Sequence, residues 1–293
     1  MSTPSPVLIT GCSSGVGEAA AWRFLRLGHP VYATARNPET LTELGAAGAV
    51  VLRLDLTDED SMVAAVRRVE ADHGAVGILV NNAAYGVQGA IEAVRIQDAR
   101  DQFEANFFGL ARLTQLVLPA MRARGTGRVV NVAAMGGHFS LPGAGFLHAS
   151  KYAVEALSDA LRLEVRGLGV TVVIVEPGPI LTPFPTKING TLPPPDGGPY
   201  DRFHQDVETR VSAAYKPKAI SMALTADRVA HAVEKAALRR RPRARYPVGV
   251  MARGLIALSR YLPGRAVDAI TRSQFRCPTP DRAARDTTAR SGV

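Results

Sequence analysis

The chain has 293 residues, and its 35 Lys and Arg against 26 Asp and Glu give a net charge of +9. With 46% hydrophobic and 21% charged residues it has a globular composition, which excludes disordered and fibrous classes, and it is long enough to bury a sizeable core. Its two cysteines, Cys12 and Cys277, lie far apart and make no disulfide framework, so a reducing cytoplasm is the expected location. The first residues, MSTPSPVLITG, lack a basic segment followed by a long apolar one, so no signal peptide is expected. No run of about 18 apolar residues exists, so no integral membrane segment is expected either. The charge is uneven. Residues 1–215 hold 18 basic and 21 acidic side chains, and residues 216–293 hold 17 and 5. A basic end can serve nucleic acid, a membrane surface or an anionic ligand, but a solvated Arg-rich helix face is the simpler reading. Without a zinc-finger, recognition-helix or base-stacking signature, no nucleic-acid partner is expected.

In chain order, Val7–Thr10, Val31–Thr34, Val50–Leu54, Ile78–Val80, Arg128–Val132 and Val170–Val175 read as strands. They are rich in β-branched residues and almost continuously apolar, as buried parallel strands are. Between them, Gly17–Leu27, Asp58–Asp72, Asp101–Arg124 and Leu147–Leu168 are amphipathic and read as helices. This alternation predicts an α/β fold, a doubly wound parallel sheet in three α/β/α layers. Residues 183–218 break the rhythm with Pro183, Pro185, Pro193–Pro195, Gly197, Gly198 and Pro199, and read as a loop serving as a lid. Ala226–Arg241 reads as a helix, Arg245–Val248 as a last strand, and 251–275 as amphipathic, with Leu255, Ile256, Leu258, Leu262, Val267 and Ile270 on its apolar face. Residues 278–293 read as a frayed end. The expected organisation is one domain over 1–250, with the 183–218 lid inserted, and a basic helical extension over 251–293.

The first strand runs into Thr10-Gly11-Cys12-Ser13-Ser14-Gly15-Val16-Gly17 and then a helix. Glycines at such a turn let the backbone approach a pyrophosphate, and the helix N-terminus supplies free N–H groups and partial positive charge. The second strand ends in Ala35-Arg36. An acidic residue there would select NAD through the ribose 2′-hydroxyl, whereas a guanidinium suits a 2′-phosphate, so NADP(H) is the expected cofactor, with Ser14 adding a hydroxyl.

The turn at Thr10–Gly17, Asp55 after the third strand, Asn81-Asn82-Ala83-Ala84 after the fourth, Asn106, Ser150-Lys151, and Pro177-Gly178-Pro179 with Thr182 together resemble the short-chain dehydrogenase/reductase family over roughly residues 5–250. The look of TGCSSGVG, ATAR and RARYPVG is similar to its hydroxysteroid and retinol dehydrogenase branch. The resemblance implies a Rossmann-type fold and a cofactor site made by Thr10, Gly11, Ser13, Ser14, Gly15, Val16, Gly17, Arg36, Asp55, Leu56, Asn82, Ala83, Ala84, Lys151, Pro177, Gly178, Ile180 and Thr182. It implies that Asp55 meets the adenine edge, Lys151 the ribose, and that Asn106 organises a water relay. It also implies a homodimer or homotetramer and no metal.

In that family a Tyr four residues before the Lys protonates the carbonyl oxygen, and a Ser thirteen residues before the Tyr orients it. This chain has Leu147 and Ala134 at those places. Leu has no proton to give and Ala no hydroxyl, so ordinary carbonyl reduction is expected to be severely impaired. Tyr152 and His148 are rotated by about 100° on the helix from the neighbouring active positions. His138, in the loop after the fifth strand, is a candidate acid or base, with a solvent-facing loop histidine as its plain alternative. Three readings stay open: a natural non-standard catalyst (cyclisation, isomerisation, elimination, cycloaddition or iminium-type reduction), a reductase inactivated by engineered changes at 134 and 147, and an NADP(H) sensor without turnover. Met135, Phe139, Leu141, Phe146, Leu147, Leu181 and Phe184, with Ile180 and Phe203 beside them, predict an apolar pocket and a hydrophobic small-molecule substrate.

Overall fold

The computed structural model describes residues 4–182, 184–214, 224–272 and 275. The tail from 276 onward, including Cys277 and the end read as frayed, lies outside them, as do Pro183 and residues 215–223. The elements are β1 (Val7–Ile9), α1 (Gly15–Arg26), β2 (Val31–Ala35), α2 (Thr42–Ala46), β3 (Val50–Arg53), α3 (Glu59–His73), β4 (Ile78–Asn81), α4 (Ile96–Phe103), α5 (Leu110–Arg124) and β5 (Gly127–Val132). There follow α6 (Gly145–Glu164), β6 (Val170–Pro177), β7 (Ile180–Leu181), α7 (Phe184–Asn189), α8 (Asp201–Ala214), β8 (Leu224–Thr225), α9 (Ala226–Leu238), β9 (Arg245–Val248), α10 (Val250–Tyr261) and α11 (Gly264–Arg272).

Seven strands form one parallel sheet in the order β3-β2-β1-β4-β5-β6-β9. The strands are apolar throughout because both faces are covered. Successive side chains point to opposite faces, so Val7 and Ile9 pack with Phe24 of α1 and Val229 and Val233 of α9. Leu8 between them packs on the other side with Val66 of α3 and Leu113 and Val117 of α5. The result is the Rossmann-type three-layer fold that the alternation predicts. Local signals set the ends. Asp58 caps α3 by accepting from the Ser61 N–H at 3.2 Å, and Gly74, left-handed at φ +78°, closes it.

Three expectations are corrected. The helix read over 101–124 is α4 and α5 joined by a π-helical turn over 104–109. The lid is not all loop: it holds α7 and α8, and β7 pairs with β8 in a separate parallel ribbon. The described part of 251–275 holds two helices, α10 and α11, because Leu262 precedes Pro263 and takes an extended conformation that ends α10. Its Leu255 and Ile256 face inward, Leu258 faces out, and the side chains of Val267 and Ile270 lie outside the described set.

Candidate active site

In the sheet order, β1 leads outward to β2 on one side and β4 leads outward to β5 on the other. The crossovers leave a crevice beyond the carboxyl ends of these strands, where ligands bind in open α/β sheets. A cavity of about 850 Å³ lies there. It runs from Arg36 and Asp55 past Gly11–Val16 to Leu147, Phe184 and Ile188.

One wall is made by the glycine turn. Gly11 has φ +72° and Gly15 φ +67°, the left-handed region where side chains are strained. Gly17 is required by contact instead: a Cβ there would collide with the Gly11 carbonyl oxygen and lie 2.5 Å from Asn82 Nδ2. Asn82 Nδ2 donates to the carbonyl oxygens of Thr10 at 3.0 Å and Gly11 at 3.2 Å. Thr10 Oγ1 accepts from the Asn82 and Ala83 N–H groups, both at 3.0 Å. The loop after β4 therefore clamps the loop after β1. Ser14, the N-cap of α1, makes no side-chain cap, so its hydroxyl does not compete for the N–H groups that open α1. Arg36 and Ala35 close the far end. Asp55 beside them accepts from the Thr57 N–H at 3.0 Å and its hydroxyl at 2.8 Å. Every residue expected to hold the cofactor lines the cavity except Gly17, which sits behind the turn. This donor-rich cradle, with an open helix N-terminus and a guanidinium at one end, fits a phosphorylated dinucleotide.

The opposite wall comes from β5, α6 and the π-helical turn. Lys151 is buried, and its Nζ donates to the Val132 carbonyl oxygen at 3.1 Å. Burial pulls its pKa down to about 8, opposed by the negative charge of Glu155 one turn further along α6. Asn106 sits on the π-helical turn and does not line the cavity. Its Nδ2 donates to the Tyr85 carbonyl oxygen at 2.7 Å and to Ser150 Oγ at 3.3 Å, and its Oδ1 accepts from the Tyr85 N–H at 3.0 Å. It ties the β4 loop to α6, and the π-helical turn presents it there. Ala134 and Leu147 both face the cavity. Leu147 lies so close to Gly86 that a Cβ on Gly86 would meet its Cδ2 at 3.0 Å and Ile188 Cγ2 at 3.1 Å. The side chains at these two positions are hydrocarbon.

Of the expected pocket residues, Met135, Leu147, Phe184 and Ile180 line the cavity, and Phe139, Leu141, Phe146 and Leu181 do not. Phe139 packs edge-on against His148, and Phe203 belongs to a separate cluster with Val207 and Phe275. Tyr85, Gly86, Ile188 and Thr191 also line it, as do Asp101, Glu104 and Ala105. Ile188 and Thr191 come from α7 and the turn after it, inside a segment that reads as loop.

The histidines exchange places. The expectation that His138 faces the pocket is not met. The turn over 135–137 swings it away from the cavity, and its Nε2 pairs with Glu176 Oε1 at 2.6 Å. Glu155 and Arg245 join this buried ion cluster, Arg245 lying 3.0 Å from Glu155 Oε2 and 3.4 Å from Glu176 Oε1. Burial pushes the Glu155 carboxyl up to about 7, reinforced by Glu176 and opposed by Arg245 and His138. His148, read as rotated away, lines the cavity beside Gly136. Its Nδ1 accepts from the Leu141 N–H at 3.1 Å, and burial lowers its pKa to about 4. It is therefore neutral at pH 7. Tyr152 does face away: it is 41% exposed and its hydroxyl bonds to Ser140.

Known proteins share this architecture. The family model described as short chain dehydrogenase matches residues 5–192. An uncharacterized oxidoreductase, YbbO of Escherichia coli, is 38% identical over 266 residues, covering 90% of this chain and 93% of its own. A 3-ketodihydrosphingosine reductase of Bacteroides thetaiotaomicron is 37% identical over 186 residues, covering 64% and 68%. A short-chain dehydrogenase structure from Streptomyces avermitilis superposes with a TM-score of 0.77 at 30% identity, covering all of both chains. One from Burkholderia phymatum in complex with NAD superposes with a TM-score of 0.74 at 25% identity, covering 94% and 96%.

Proposed function

The chain belongs to the short-chain dehydrogenase family, and from that premise we propose that it binds NADP(H) and acts on a hydrophobic small molecule by chemistry that needs no proton delivered to a carbonyl oxygen. The observation that carries this reading is the pairing, in one cavity, of a cofactor wall with its expected residues in place and a reacting corner made of Ala134 and Leu147. Arg36 at the far end, with Ala35 rather than a carboxylate before it, favours the 2′-phosphate of NADP(H).

When bound, a reduced nicotinamide supplies a hydride. The chain's own residues do the rest. The Lys151 ammonium, fixed by Val132, holds ribose hydroxyls at the cavity wall. Leu147, Met135, Phe184 and Ile188 exclude water and grip apolar substrate surface. A carbonyl oxygen that gains negative charge in this corner finds no hydroxyl at position 134 or 147 to orient or protonate it. An iminium carbon needs none, because its nitrogen already carries the positive charge that the hydride neutralises. Iminium-type reduction therefore uses the features this site retains. The Bacteroides relative, by its name, acts on a sphingoid substrate, which supports a long apolar substrate class here.

Titration with NADPH and NADH, followed by fluorescence, tests the cofactor reading. NADPH is expected to bind at least about tenfold more tightly, the size of one charge-assisted contact. Failure to bind either nucleotide overturns it. A panel of hydrophobic ketones and cyclic imines tests the chemistry. The wild type is expected to leave the ketones unreduced, and the double variant Ala134→Ser with Leu147→Tyr is expected to gain NADPH-dependent ketone reduction. Ketone turnover by the wild type overturns the proposed chemistry, and no gain in the variant overturns the roles assigned to these two positions.

A further inference from the structure

Helix α10 is apolar on both sides, and among the described residues only one side is covered. Its inner side buries Ala252 and Ile256, with Met251 and Leu255 partly covered. Its outer side carries Val250, Arg253, Gly254, Ala257, Leu258 and Tyr261, all exposed. In a helix of 3.6 residues per turn these six fall within an arc of about 140°. Val250 is 77% and Tyr261 85% exposed. A surface helix ordinarily turns charged residues to water, and this one turns a nearly unbroken apolar stripe.

We propose that the outer face of α10 docks on an anionic lipid bilayer. The charge around the stripe names the occupant. Arg253 stands on it, and Arg265 and Arg272 are exposed on the following helix, against Asp268 as the acidic residue of α10 and α11. An apolar stripe flanked by arginines is the pattern of a helix lying in a membrane interface, where hydrocarbon enters the headgroup layer and the cations meet lipid phosphates. Two other occupants fit less well. The C-terminal residues 278–293 contain no Leu, Ile, Met or aromatic side chain with which to cover the stripe. A second copy would set the same arginines against one another.

The position of α10 gives the docking a use. The Gly178 N–H donates to the Val248 carbonyl oxygen at 3.2 Å, and Gly178 lies against Ala252, so α10 starts beside the Pro177–Ile180 segment that lines the cavity. Docking along α10 brings that rim to the bilayer, the phase into which an apolar substrate partitions. The docking itself does not depend on the proposed chemistry.

The test is co-sedimentation of the full chain with vesicles of phosphatidylcholine alone and of phosphatidylcholine mixed with phosphatidylglycerol. The wild type is expected to pellet with the mixed vesicles at low salt, at least about tenfold more than with phosphatidylcholine alone, and to be released at high salt. Val250→Ser, Leu258→Ser and Tyr261→Ser together are expected to abolish pelleting while the melting temperature and NADPH affinity stay unchanged. Arg253→Glu is expected to weaken it alone. A wild type that stays in the supernatant with anionic vesicles overturns the proposal, as does pelleting that the triple variant retains. A dimer that the triple variant splits into monomers overturns it in favour of a second copy.

Discussion

The two walls of the cavity are built differently. The cofactor wall is held by backbone: glycine conformations at 11 and 15, the close approach at 17, and main-chain oxygens clamped by Asn82. The reacting wall is set by a few side chains on a rigid frame, in which Lys151 and Asn106 are fixed by main-chain oxygens of Val132 and Tyr85. A backbone-built wall cannot change without changing the fold. A side-chain wall can exchange polar for apolar groups, and at Ala134 and Leu147 it carries apolar ones, with the frame intact. That is how one cavity can combine the proposed nucleotide cradle with an apolar corner at Ala134 and Leu147, and why fold alone does not give the reaction.

The sharpest way to break this contrast is Gly17→Ala. Its methyl meets the Gly11 oxygen and Asn82, so the clamp must open. NADPH affinity is expected to fall by about a hundredfold or more, with a stability loss of about 2 to 3 kcal/mol, as strain at a special backbone site gives. Ala134→Ser on the opposite wall is expected to leave both nearly unchanged. Calorimetric titration and thermal melting read the two effects, and equal losses for the two variants would remove the distinction. Next in size, Arg36→Ala is expected to cost about 1.5 to 3 kcal/mol of NADPH binding, a loss of about tenfold to a hundredfold, with NADH affinity unchanged. Equal losses for both nucleotides would move Arg36 from the 2′-phosphate to the shared part of the dinucleotide.

The two histidines sharpen the contrast through pH. His148 has its folded pKa depressed from 6.5 to about 4 by burial. The unfolded chain then binds more protons than the folded one between these values, so this group makes stability fall as pH drops from 6.5 towards 4. The full difference is on the order of 3 kcal/mol. His148→Phe is expected to remove that part of the acid slope in urea unfolding followed from pH 7 to pH 4. An unchanged slope would place the imidazole in water rather than against Gly136. His138, paired with Glu176, is on the other side of the same loop.

Much of this was legible in the sequence, for reasons that particular residues make plain. The strands stand out because both faces are buried, so Val7, Leu8 and Ile9 are all apolar. The glycine turn is legible because its conformations admit few other residues. What a histidine faces was not legible, because it depends on how the turn over 135–137 runs, and one residue's rotation decides it. The π-helical turn was hidden for a similar reason: Asn106 is pinned by the backbone of a loop distant in sequence. Helix α8 was open to detection. Phe203, Val207 and Val211 recur at four-residue spacing and pack together with Phe275, a signal masked by the prolines before it.

The smallest expected effect tests the alignment of the whole reacting wall. Tyr152 is next to Lys151, and a one-residue slip of α6 would turn it towards the cavity at the place Lys151 holds, one helical turn from Leu147. The observed register excludes this: Lys151 reaches Val132, Leu147 meets Gly86, and Tyr152 turns outward to Ser140. An exposed tyrosine with a surface hydroxyl bond contributes little, so Tyr152→Phe is expected to shift stability by no more than about 0.5 kcal/mol. In the Ala134→Ser, Leu147→Tyr background it is expected to leave the gained ketone reduction within about twofold, because a group outside the cavity cannot touch the transition state. Steady-state rates with and without the third change decide it. Loss of the gained activity would put Tyr152, and not position 147, at the reacting carbon, and the apolar corner would have to be rebuilt around a phenol.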